Sequence, residues 1–278
     1  MDPRLLQRVL ERLGVAAPEP TLEGLTRVYG AWCERVPFDN LQKRRHLHRV
    51  SQGELSADLP LPGSTAEAFF EDWLRDGSGG TCWAGNGALC DLLVALGFEA
   101  ERGLATMLAA PDLPPNHGTV RVKLAGGHYL CDASMLSQQP LPLVDGSETR
   151  VEHPAWGVRC TPGDDGRAIV HWRAGHREEL FGCRLERYGL DTAEFDQRHE
   201  RTRATGPFNS AISFRVNRDD GVHALGMGKR VTIDESGRSS TGALTPEQRT
   251  DYLVGLGIRR DLAESLPPDE PMPPPPGA

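Results

Sequence analysis

Near Glu99 the apolar residues of this chain change their period, and that change limits the fold more than any other feature of the sequence. Upstream they recur every three or four positions, the mark of helices with one buried face. "DPRLLQRVLERLG" offers Asp2 as a cap, Pro3 in the first turn, and Leu6, Val9, Leu10 and Leu13 as a stripe. "TLEGLTRVYGAWCERV" carries Leu22, Leu25, Val28, Tyr29 and Trp32, and Pro37 closes it. "STAEAFFEDWLRDG" opens with Ser64 and Glu67 at capping-box spacing. Between the last two, "KRRHLHR" and "ADLPLPG" read as a loop. Its basic cluster reads as a solvated surface, with anion binding as the weaker alternative. Downstream of Glu99 the residues alternate instead. "HGTVRVKLAGGHYLCDAS" reads as a hairpin, "RAIVHWRAG" as a strand, and "AISFRVNRDDGVHALGMGKRVTID" as a second hairpin turning near Asp219–Gly221. "TPEQRTDYLVGLG" returns to helix, with Thr245 as its cap. Helices followed by strands predict an α+β protein whose chemistry lies at the junction of the two parts.

At that junction stands "GSGGTCWAGNGALCDLLVALGFEA", residues 77–100. Its first half is a glycine turn with one thiol, Cys82. Its second half is a helix with Leu89, Leu92, Leu93 and Leu96 on one face and Gly97 to stop it. Helix starts carry partial positive charge and free N–H groups, which favour a thiolate and can receive an oxyanion. Cysteines occur at 33, 82, 90, 131, 160 and 183, with no C-x-x-C pair, so neither a zinc site nor any other metal site is expected. Without a secretory signal no disulfide framework is expected either, and the other cysteines read as buried thiols.

A cysteine nucleophile needs a histidine within hydrogen-bond reach and a carboxylate to orient it. His117 opens the first strand of the hairpin and Asp132 ends the second. If the turn is Ala125–Gly126, Asp132 faces Thr119 and lies diagonally across from His117 on the same face. A turn at Gly126–Gly127 would separate them. His128, beside the turn, is the rival base.

These residues resemble the arylamine N-acetyltransferase family. "VPFDNL" at 36–41, "GGTCWAGN" at 79–86, "LGFEAERG", the histidine hairpin and "GPFNSAISFRVNRDDGVHALGMGKRVTI" follow the family's motifs in order over nearly the whole chain. The resemblance implies a helical domain over 1–97 carrying the cysteine and a β-barrel over 98–200 carrying His and Asp. An α/β lid over 201–266 and a disordered proline-rich tail over 267–278 complete the expected layout. The core would be a Cys–His–Asp arrangement of the cysteine-protease and transglutaminase kind. Carried over by position, Cys82 would accept the acyl group, His117 would be its base, and Asp132 would orient the imidazole. Phe38, Met135 and Phe208 would line the substrate pocket. Acetyl-CoA or another acyl-CoA would be co-substrate, with no permanently bound cofactor, and a small amine the acceptor. An amide synthase or thiol hydrolase using the same triad, and a binding protein that has lost catalysis, are the alternatives. Two departures stand out: Ser78 replaces the family's arginine and Ala84 its acidic residue. If the two normally pair, their joint loss leaves no orphan charge.

Charge and hydropathy bound the partners. The net charge of -8 argues against nucleic acid as a partner. The longest apolar run, "LLVALGF", is too short to span a bilayer, and no leader is evident, so a cytoplasmic protein without a membrane partner is expected.

Overall fold

The structure is a computed structural model. It describes residues 1–110, 113–175, 179–204, 206, 208–226 and 228–271. The chain begins with α1 (Pro3–Leu13) and α2 (Leu22–Arg35), followed by a short strand β1 (Phe38–Asp39) and α3 (Leu41–Ser51). Then come α4 (Ala66–Asp76) and α5 (Cys82–Ala95). Asp2 and Thr21 cap the first two helices through their side chains, and Gly14 ends α1 at φ 66°. At α4 the cap is Thr65, whose Oγ1 accepts from Ala68 N, rather than the expected Ser64. Val9, Leu25, Val28, Trp32, Phe70 and Trp73 form the core of this part.

Helix α3 corrects the sequence reading, which took its residues for a loop with a solvated basic cluster. Lys43, Arg44 and His46 are buried on it. Apolar periodicity fails there because the buried face is basic. Long basic side chains can be buried when their polar ends find carbonyls, and here they do. Arg44 donates to Asn209 O, Pro267 O and Pro268 O.

Eight antiparallel strands follow: β2 (Glu99–Met107), β3 (His117–Leu124), β4 (Gly127–Cys131), β5 (Leu141–Leu143), β6 (Thr149–Val151), β7 (Val158–Pro162), β8 (Ala168–Trp172) and β9 (Phe181–Leu190). They lie in the order β5-β4-β3-β2-β9-β8-β7-β6. The sheet curls until its edge strands meet, where the Thr149 hydroxyl donates to the Pro142 carbonyl. The result is a mixed α/β fold with a nearly closed barrel, filled by Ala105, Leu130, Met135, Val170 and Cys183 among others.

Helix α6 (Thr192–Arg201), which the alternating pattern had not foretold, lies within the stretch expected to be barrel and is capped by Asp191. The chain then builds β10 (Phe214–Arg218), β11 (Gly221–Gly226), β12 (Lys229–Asp234) and β13 (Ser239–Ala243), and ends in α7 (Pro246–Gly255) and α8 (Arg260–Glu264). Thr245 and Gln248 form the capping box of α7. The second sheet runs β1-β10-β11-β12-β13, so the N-terminal region contributes its edge strand. Residues 267–270, expected to be disordered, are tied down: Asp269 accepts from Ile212 N and Glu270 N donates to Ser210 O. Residues 272–278 of that expected tail lie outside the described residues. Among the described residues no helix is long and apolar enough to cross a membrane.

Candidate active site

Cys82 is the first residue of α5, with Thr81 as its N-cap. The glycine turn before it is set by close approach to β1. A Cβ on Gly79 would stand 1.9 Å from the Pro37 carbonyl oxygen. Asp39 N donates to Gly80 O at 3.1 Å, and Phe38 forms a parallel bridge with Gly80. The VPFDN segment and the cysteine loop are therefore one unit.

The hairpin takes the register that joins its two candidates. Leu124 pairs with Gly127 and Val120 with Cys131, so the turn is Ala125–Gly126. Asp132, the next residue, turns its Oδ2 onto His117 Nε2 at 2.8 Å. His128 pairs with Lys123 at the far end of the hairpin. The Cys82 sulfur acts on the His117 ring and favours its protonated form. With Nε2 committed to Asp132, Nδ1 is the nitrogen left for it. Cys82, His117 and Asp132 are 7%, 1% and 1% exposed, so bulk water has little access.

Burial alone would push His117 down. The Asp132 carboxylate and the Cys82 sulfur more than reverse this and hold its pKa above the usual histidine range. Burial likewise pushes Asp132 up, but the charge and hydrogen bond of His117 hold it below the usual carboxylate range. Each partner favours the ionised form of the other.

Several residues that fix this geometry escaped the sequence reading. Tyr29 on α2 donates its hydroxyl to Asp132 O at 2.9 Å and accepts from Asp132 N at 3.0 Å. Asn86, one helical turn after Cys82, donates to Gly118 O at 2.6 Å and accepts from Ala133 N at 2.9 Å. Asn40 donates to Phe208 O and Ala211 O and accepts from Ser213 N, which ties the 208–213 segment to β1. The one available signal for Asn86 was its place: a polar side chain at i+4 from the cysteine, in the otherwise apolar first half of α5.

Phe38 packs beside the small cluster of Cys82, Trp83, Leu104, Leu190 and Phe195. It meets Phe208 edge to face, with centroids 5.3 Å apart. Met135 lies elsewhere, in the barrel core, and its backbone N–H donates to Asp132 Oδ1 at 3.1 Å. Ser78 and Ala84 are not partners. Ser78 Oγ donates to Asp39 Oδ1 at 2.7 Å, and Gly79 N donates to Asp39 Oδ2 at 2.7 Å. Ala84 packs in the apolar core, where a Cβ on Gly80 would come within 2.8 Å of its own. The hydroxyl at 78 thus hydrogen-bonds the aspartate of the VPFDN segment.

Asp39 is fully buried, and burial pushes its pKa up to about 6 although Ser78, Leu41 and Gly79 donate to it. Between the ordinary carboxylate value and about 6 the folded chain keeps a proton that the unfolded chain has lost. Stability therefore falls as pH rises through that window, by about 3 kcal/mol in all. Urea unfolding from pH 4 to 7 of the native chain and Asp39→Asn checks this. The difference between the two stabilities declines with pH if Asp39 behaves so, and a flat difference would show that it does not.

A family model described as N-acetyltransferase matches residues 21–253. The chain belongs to the arylamine N-acetyltransferase family. A curated relative, the arylamine N-acetyltransferase of Mycolicibacterium smegmatis, is 26% identical over 239 residues, 82% of each chain. The solved arylamine N-acetyltransferase of Mycobacterium abscessus superposes with a TM-score of 0.76 at 22% identity, covering 94% of this chain and 93% of that one. That of Mycobacterium marinum in complex with CoA gives 0.75 at 20% identity, covering 94% and 97%. At these identities the solved structures bear on the fold of this family member.

Proposed function

We propose that the protein is an acyltransferase that moves an acetyl group from a CoA thioester to an arylamine or hydrazine through an acyl-Cys82 intermediate. The observation that carries this reading is the buried His117–Asp132 hydrogen bond, with the Cys82 sulfur acting on the same ring. Asp132 holds the Nε2–H tautomer, which leaves the Nδ1 lone pair for the thiol proton. The thiolate attacks the thioester carbonyl, the bond to the CoA sulfur breaks, and His117 returns the proton to that sulfur. The amine then attacks the acyl-enzyme while His117 takes its proton, and the freed thiolate completes a ping-pong cycle. Free N–H groups at the start of α5 suit the developing oxyanion. Phe38 and Phe208 form the aromatic wall for the acceptor, while Met135 acts through the N–H that it directs at Asp132. The apolar cluster around Cys82 favours transfer to an amine over hydrolysis, because it keeps water from the thioester. The relative solved in complex with CoA is consistent with a CoA donor.

Intact-protein mass after mixing with acetyl-CoA and no acceptor tests the first half-reaction. The native chain should gain one acetyl group and Cys82→Ala none. Acetylation that persisted in Cys82→Ala would overturn the reading.

A further inference from the structure

Helix α3 carries a buried basic stretch that the candidate active site leaves unused, and Arg44 is the member that joins distant segments. Its side chain is 2% exposed. The guanidinium donates to Asn209 O at 3.0 Å, Pro267 O at 3.1 Å and Pro268 O at 2.6 Å. Residues 267–270 thereby lie as a strap against residues 208–213, and two further bonds close the contact. Asp269 Oδ1 accepts from Ile212 N at 2.9 Å, and Glu270 N donates to Ser210 O at 2.8 Å. Arg44 and Arg249 each stand 3.8 Å from the same Asp269 oxygen.

The segment held in this way has no ladder of its own, for 208–213 lies between α6 and β10 and belongs to no helix or strand. Asn40, the N-cap of α3, holds it from the other side. Asn40 donates to Phe208 O at 2.8 Å and Ala211 O at 2.7 Å, and accepts from Ser213 N at 2.9 Å. Asn40 and Arg44 are one helical turn apart, so one face of α3 grips the segment both directly and through the strap. Phe208 begins that segment. Its ring meets Phe38 at 5.3 Å, and Phe38 packs on the cluster that contains Cys82. A buried ion is often no more stabilising than an apolar side chain of its size. What a planar guanidinium adds is a fixed geometry among its acceptors, and here those acceptors belong to the strap and to the segment that carries Phe208.

We propose that Arg44 is a positioning residue for the amine half-reaction. Through the strap it fixes Phe208 against Phe38, and so sets how well the acetyl-enzyme discriminates amines with an aromatic ring from small amines. The step itself is the one above: the bond from the amine nitrogen to the acyl carbon forms, the bond from that carbon to the Cys82 sulfur breaks, and His117 takes the amine proton. This rests on the reading of Cys82 as the acyl acceptor and of Phe38 and Phe208 as the acceptor wall.

The test follows discharge of the acetyl-enzyme by intact-protein mass. Acetyl-enzyme made with acetyl-CoA and freed of CoA is mixed with 4-methoxyaniline, or with hydrazine, which has no ring to lay against Phe208. The ratio of the two rates is compared in the native chain, Arg44→Met, Asp269→Ala, Phe208→Ala and the two double variants with Phe208→Ala, with thermal unfolding as the check on folding. Arg44→Met should lower the ratio about tenfold and Asp269→Ala should lower it too, while acylation by acetyl-CoA stays within about twofold of native in both. With Phe208→Ala already present, neither should lower it further. A native ratio in the folded variants overturns the proposal. So does an equal loss in the presence of Phe208→Ala, because Arg44 would then act by loosening the fold at large. If Arg44→Met does not fold, Asp269→Ala, whose side chain is 23% exposed, decides by the same comparison. An acetyl-enzyme that hydrazine discharges and the arylamine does not removes this inference and leaves Cys82 as the acyl acceptor. Failure to form the acetyl-enzyme removes both.

Discussion

Asp132→Asn lowers the rate of Cys82 acylation on the order of 1,000- to 10,000-fold while the chain remains folded. The loss follows from which atoms face each other. Asp132 Oδ1 accepts from Ser134 N at 2.8 Å and from Met135 N at 3.1 Å, and both donors are fixed in the backbone. In the variant the amide oxygen stays with those donors, and the amide nitrogen turns to His117. A donor now faces Nε2, where a carboxylate oxygen stood at 2.8 Å. Nε2 must then accept, so the ring proton moves to Nδ1. That nitrogen faces the thiol and can no longer take its proton. The variant also removes the carboxylate that raises His117, so the ring that remains is a weaker base as well as the wrong tautomer. Acylation rates by mass, beside a near-ultraviolet circular dichroism spectrum that matches the native chain, check this. A folded variant within about tenfold of native would mean that Asp132 does not orient the base.

How much of this was legible in the sequence depends on whether a local pattern encodes it. The helix start at Cys82 and the hairpin register were readable because glycine turns and alternation are local signals. The register alone places Asp132 diagonally from His117. The same logic failed at α3, where a helix buries Lys43, Arg44 and His46 and the expected apolar stripe is absent. Its partners, Thr202, Asn209 and Pro267–Pro268, lie more than 150 residues further along the chain, so no window of sequence contains them. Asn40 and Tyr29 act across similar gaps, on the 208–213 segment and on Asp132. The pairing of Ser78 with Asp39 was missed for a related reason. Both stand in recognisable motifs, yet only the bridge between Phe38 and Gly80 shows that the two motifs are neighbours. Side chains that bond within an element leave a trace in its spacing; those that join elements do not.

Asn86 is where such a joint matters most for stability. It is fully buried on α5, and its two amide atoms serve the two strands' ends that carry the catalytic pair: Gly118 beside His117 and Ala133 beside Asp132. Asn86→Ala leaves one carbonyl and one N–H buried and unpaired and opens a small cavity, a loss of about 3–5 kcal/mol. For a chain of this size the melting temperature should fall roughly 10 °C. Asn86→Asp separates the hydrogen bonds from the cavity. Its volume is nearly native and one oxygen can still accept from Ala133 N, but the other faces the Gly118 carbonyl. A buried carboxylate there repels that carbonyl, so the folded state raises its pKa above the unfolded value. The folded chain then holds a proton that the unfolded chain has lost, and the variant is least stable above both values. Below them the protonated oxygen can donate to Gly118 O, and the deficit should shrink. Thermal unfolding of the native chain and both variants at pH 5 and pH 8 is the measurement. A deficit in Asn86→Ala that is the same at both values, beside one in Asn86→Asp that narrows at pH 5, is the expected pattern. If Asn86→Ala unfolds within about 2 °C of the native chain, water or backbone movement satisfies Gly118 and Ala133 without it, and the link from the helix of Cys82 to the strands of His117 and Asp132 must be carried by packing alone.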